Sequence, residues 1–147
     1  MDEEKSPQQL LGTIGTYREL RDWVNAHGAP AAIPAIRRRL SRFLVGSFAQ
    51  EHNISLDKAR RLLGMTGTGK AGSEGLLSQG ESERLVRFAE IEAVAIETLG
   101  DEATARRWLE AKNLTLNGEA PYEMLDTGYG AGSVRALLGA IRYGGAA

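Results

Sequence analysis

The sequence predicts an all-α fold, a small helical bundle. Three observations carry this. Ser/Thr residues stand three before Glu at Thr16/Glu19 and Ser78/Glu81, the spacing of a capping box. Each opens a stretch whose apolar residues recur every three or four positions. Only Thr115-Leu116 hints at a strand.

At 147 residues the chain makes one ordinary domain or two very small ones. With 42% apolar and 25% charged residues it is expected to bury a core rather than remain disordered. It has no cysteine, which removes disulfides, thiolate metal sites and cysteine nucleophiles together. Only His27 and His52 remain as imidazoles, so no metal and no cofactor is expected. No run approaches the ~20 apolar residues of a membrane span, and the acidic start MDEEKSPQQ is unlike a secretory signal, so a cytoplasmic location is expected. The net charge of −1 hides an asymmetry: residues 17–77 hold ten Lys or Arg against five acids, whereas residues 78–147 hold seven against eleven. Different partners for the two halves would account for it.

Residues 1–15 are polar and aperiodic and read as a flexible tail. The Thr16/Glu19 box and Gly28 bound a helix over 17–27. Pro30 and Pro34 fit only a first helical turn, so the next helix is expected to start there and carry Ile36, Leu40, Phe43, Leu44 and Phe48 along one stripe. Arg37, Arg38, Arg39 and Arg42 fall mostly on its other faces. After a turn at His52-Asn53, Ser55 caps a short helix over 56–63 that Gly64 stops. Ser78/Glu81 opens a long helix through Leu85, Phe88, Ile91, Ala95 and Leu99 to Gly100, and Asp101 caps a helix over 102–112. A turn at Asn117-Gly118, a helix from Pro121 to a stop at Gly128, and a last helix through Val134, Leu137, Leu138 and Ile141 complete the chain.

The stretch GMTGTGKAGSEG, residues 64–75, falls one residue short of a phosphate-binding P-loop. A P-loop needs a buried strand before its glycines and a helix after them that begins with Lys and a Ser or Thr for Mg²⁺. Here SLDKARRLL precedes as an amphipathic helix, and Ala71 follows Lys70. The stretch fits better as the turn and second element of a helix-turn-helix spanning 55–77, with Thr68, Lys70 and Ser73 as its base-reading groups and Arg37, Arg38, Arg39, Arg42, Arg60 and Arg61 as phosphate contacts. Glycines at 67, 69, 72 and 75 weaken the second element, so residues 66–75 are expected to be mobile unless DNA or a partner holds them. A solvated basic face explains the arginines equally well.

From Ser78 on, the residues carry more than periodicity. Ser82 and Arg84, Gly100-Asp101, Ala105, Trp108-Leu109, Asn113, Leu116, Gly118, Pro121, Leu125-Asp126-Thr127, Gly130, Val134, Leu138 and Ile141 through Gly144 stand in an ordered pattern over about half the chain. That pattern closely resembles the toxin-binding domain of the Xre/MbcA/ParS antitoxins, which pair with RES-domain toxins. Most of these positions also read as packing, turns and caps. The resemblance implies a division into an Xre-like helix-turn-helix domain over 16–77 and a toxin-binding domain over 78–147. The glycines of 64–75 depart from the family's usual second helix, which puts operator reading in doubt.

The resemblance further implies a non-enzymatic antitoxin acting by occlusion. RES-domain toxins act on NAD⁺, degrading it or transferring ADP-ribose, and the antitoxin covers the cleft. The residues of this chain suited to that task are Arg135, Leu138, Arg142, Tyr143, Gly144, Gly145, Ala146 and Ala147: arginine pairs with acidic or pyrophosphate-holding groups, tyrosine stacks, and the tail is slim. A homodimer within the toxin complex and binding to operator DNA are the partners expected beside the toxin. The alternative is a stand-alone helix-turn-helix regulator. An enzyme is disfavoured because no local pattern joins Ser, His and an acid, and His27 and His52 sit at helix ends where capping is the simpler role.

Overall fold

A computed structural model describes residues 4–65 and 75–144. Among the described residues are eight α-helices and no strand: α1 (Pro7–Gly12), α2 (Tyr17–His27), α3 (Ile33–Arg38), α4 (Phe43–His52), α5 (Leu56–Leu62), α6 (Gln79–Leu99), α7 (Glu102–Glu110) and α8 (Gly128–Arg142). Short 3-10 turns at Ala29–Ala32, Leu114–Leu116 and Pro121–Met124 join some of them. Thr68, Lys70, Ser73 and most of the segment expected to be mobile lie outside the described residues.

The caps perform as the sequence predicts. Thr16 accepts from the Glu19 N–H, Ser55 from Lys58 and Asp101 from Thr104, while Ser78 and Glu81 satisfy each other's backbone N–H groups. Three elements differ. Chain order begins at α1 rather than at Thr16, because Ser6 and Gln9 form a capping box, Pro7 occupies the first turn, and the Trp23 indole donates to the Pro7 carbonyl at 2.8 Å. The helix expected through residues 36–48 is broken. Arg39 turns to φ +73°, after which the Leu40 N–H donates to Ser82 Oγ at 2.9 Å and the Leu40 carbonyl accepts from Leu77 at 2.8 Å. These long-range bonds replace the helical ones that residues 39–42 give up. At the far end Gly128 does not stop a helix; Thr127 caps there, and Gly128 is the first residue of α8. Thr115-Leu116 lies in a 3-10 turn beside a single bridge between Asn113 and Glu119.

α6 is the axis. Leu85, Phe88, Ala89, Ile91 and Ala95 are fully buried, and α2, α3, α7 and α8 pack around them. Tyr17, Leu20, Phe48 and Leu63 from the first half join Leu109, Leu125, Val134 and Leu138 from the second in one contiguous core.

Candidate functional site

α8 presents two unlike faces. Ala131, Val134, Leu137 and Leu138 are buried against α6 and the Pro121–Met124 turn. The helix seats there because position 130 is glycine: a Cβ would stand 1.9 Å from the Met124 carbonyl oxygen. Outward, Tyr129, Ser133, Ala136 and Tyr143 follow the helical spacing, with Tyr129 94% and Tyr143 82% exposed.

The residues expected to meet a partner separate under this geometry. Arg135 is exposed and ion-paired with Glu90 of α6. Arg142 pairs with Glu97 at 3.3 Å and lies 5.8 Å from the Tyr143 ring centre. Tyr143 closes α8 and Gly144 takes φ +77° beyond it. Leu138 is corrected: it is fully buried in the core and supports the helix from within. Gly145, Ala146 and Ala147 lie outside the described residues. In the second half, Tyr129 and the 95% exposed Leu114 escape the sequence reading, and in the first half Phe43, expected on the apolar stripe with Leu44 and Phe48, is 84% exposed because the break at Arg39 interrupts that stripe. The only sequence signal of Tyr129 and Leu114 is a large apolar residue in a stretch otherwise small or polar.

The basic residues do not form one stripe. Arg37 and Arg38 are exposed at the end of α3, whereas Arg39 turns back and donates from Nε to the Leu77 carbonyl at 2.8 Å. Arg42 is half-buried beyond the break, Arg60 half-buried on α5, and Arg61 pairs with Glu123 at 3.3 Å. The glycine segment is entered from α5 and Gly64 rather than from a strand, and residues 66–74 themselves lie outside the described residues.

Beneath both surfaces lies a buried polar cluster. The Glu92 carboxylate, 1% exposed, accepts from Arg21 at 2.6 Å and the Tyr122 hydroxyl at 2.7 Å, and meets His52 Nε2 at 2.5 Å. Arg106 stands 3.8 Å away and, with Arg18, Glu51 and Glu102, extends the charges to the surface. Burial pushes the Glu92 carboxyl up, yet the bonds from His52, Tyr122 and Arg21 outweigh it and hold the group at about 2. Burial, then the neighbouring Glu92 charge, raise the Tyr17 and Tyr122 hydroxyls. His52 closes α4 with Nδ1 2.8 Å from the Phe48 carbonyl, and beyond the helix-end role the sequence suggests it is a buried core member in tilted or edge contact with Tyr17, Phe48 and Tyr122. The adjoining pocket, about 60 Å³, is too small for a nucleotide. Among the described residues no three His, Asp or Glu gather as a metal site, and no helix is long and apolar enough to cross a membrane.

The resemblance residues chiefly serve the fold. Ser82 holds the Leu40 N–H, Arg84 donates to the Gly64 carbonyl, Asp101 and Thr127 cap, and Asn113 accepts from Thr115. Residues 94–144 match the family described as the antitoxin Xre/MbcA/ParS C-terminal toxin-binding domain. The match begins within α6, takes in α7 and α8, and covers about a third of the chain. No curated protein matches the chain.

Proposed function

We propose that this chain is an antitoxin that neutralises a RES-domain toxin by covering its NAD⁺ cleft, working in the cytoplasm as a homodimer within the complex. The carrying observation is the toxin-binding family match over residues 94–144, which ends where α8 leaves Tyr143 in solvent. In this reading Arg142 leaves Glu97 for acidic or pyrophosphate-binding groups of the toxin, an exchange of one exposed ion pair for a more desolvated one. Tyr143 supplies rigid aromatic area, and Gly144, Gly145, Ala146 and Ala147 continue into the cleft. Arg135 flanks the contact.

Co-expression with a RES-domain toxin tests the reading. Growth is expected to recover and a complex to co-purify, and Tyr143→Ala with Arg142→Glu should abolish both while leaving the melting curve intact. Failure of the unaltered chain to rescue growth or to co-purify sinks the proposal.

Autoregulation through operator DNA is a separable part of the proposal, supported by the exposure of Arg37 and Arg38. The same two residues support the second reading, a stand-alone regulator. The two readings part in a gel shift with the chain's own promoter at low and high salt. A specific shift without toxin, together with failed rescue, would favour the stand-alone regulator.

A further inference from the structure

A groove of about 320 Å³ opens between α4 and α5. Phe43, Val45, Gly46, Leu56 and Met65 line it, and the guanidinium-bearing Arg42 and Arg60 complete the lining. Phe43 is 84% and Leu56 51% exposed, so two large apolar side chains stand in water beside the groove. Burying them would remove apolar area from water, which favours association. The groove lies on residues 42–65, apart from the family-matched 94–144.

The chemistry of the lining selects the occupant. Residues 66–74, TGTGKAGSE, begin beside Met65 yet carry Ala71 as their only aliphatic side chain, so they supply no large apolar group to fill the space. Duplex DNA would use the arginines but leave Phe43 and Leu56 unsatisfied. A second copy would bring its own Arg42 and Arg60, and its own excess of ten basic over five acidic residues in 17–77, against the same charges. An acidic segment with apolar anchors meets both demands.

We propose that the α4–α5 groove docks a short segment of another protein, its large apolar side chains seated against Phe43, Leu56 and Met65 and a flanking carboxylate facing Arg60, while Arg42, which already has a partner within the fold, serves as groove wall. Arg60 has no ion-pair partner among the described residues. Gly46 keeps the groove open: it stands in α4, and a Cβ there would meet nothing within 4 Å. A Cβ at 46 therefore meets no atom, and a larger side chain there is expected to project into the groove that Gly46 lines.

The test uses the full chain and three fluorescein-labelled peptides of about twelve residues, long enough to cross such a groove. One carries Leu and Phe flanked by Asp and Glu, one the same apolar pair flanked by Lys, and one the acids with Ser at the apolar positions. The first is expected to bind about tenfold more tightly than the other two, and to lose about tenfold with either Gly46→Leu or Arg60→Glu. Circular dichroism and melting temperature should match the unaltered chain in both variants. Equal binding of the three peptides, or binding that survives both variants, overturns the proposal. So does a sedimentation profile in which the chain dimerises and Phe43→Ser alone makes it monomeric. Promoter DNA binding lost with Arg60→Glu but kept with Gly46→Leu would assign the arginines to nucleic acid and overturn it as well.

Discussion

Glu92 is surrounded by groups that need its charge. Arg21, His52 and Tyr122 each direct a polar atom at it within 2.7 Å, and all four side chains are buried. Its carboxyl titrates at about 2 in the fold, against about 4.3 for an unfolded glutamate. A depressed folded value means that the unfolded chain binds the proton first, so this contribution is full above pH 5 or so and is lost as pH falls toward 2. Two units correspond to roughly 3 kcal/mol. Urea unfolding should thus show stability falling steeply between about pH 5 and 2, with Glu92→Gln removing most of that slope. The same variant at neutral pH leaves Arg21 and His52 buried against a neutral amide, and should cost on the order of 3–5 kcal/mol. A loss under about 1 kcal/mol would show that water already screens the cluster.

Elements bounded by their own side chains were legible in the sequence, and those bounded by distant partners were not. Thr16, Ser55, Ser78 and Asp101 each bond to a backbone N–H three residues on, so α2, α5, α6 and α7 start where spacing predicts. The break at Arg39 depends on Ser82 and Leu77, some forty residues away, and periodicity carries no trace of them. α1 has only Leu11 to bury and is held by Trp23, again a distant group. At the candidate site Arg142 and Tyr143 stood out as chemistry at the end of the chain, whereas Leu138 shared their helix but not their face. α8 carries its own prediction. Gly130 lets the helix rest on the Met124 carbonyl, and a methyl group at 1.9 Å has to lift it. Gly130→Ala should destabilise the chain by about 1–3 kcal/mol, read as a lowered melting temperature, although alanine is the better helix former. Gly132→Ala, two residues along and open to within 4 Å, serves as the control and should be neutral or mildly stabilising.

Across the whole molecule, the basic first half and the acidic second half are joined by one core and one charge cluster. Phe48 packs edge-on to Phe88, Phe88 stacks on Tyr122, and Glu92 takes Arg21 and His52 from one half and Tyr122 from the other. Separating the halves would expose Phe88, Leu85 and Ile91 of α6 and strand buried charges on both sides, so the two are expected to unfold together. The two tryptophans report this: Trp23 lies in α2 and Trp108 in α7. Single-tryptophan chains carrying Trp108→Phe or Trp23→Phe should each give one urea transition. After correction for each variant's stability by circular dichroism, fluorescence midpoints and slopes should coincide with the far-ultraviolet signal, as two-state unfolding requires. A Trp23 transition clearly displaced from that of Trp108 would mean that the halves unfold separately. Coincidence would mean that a partner which binds either half raises the stability of the whole fold by the same free energy, read as a raised urea midpoint for both tryptophans.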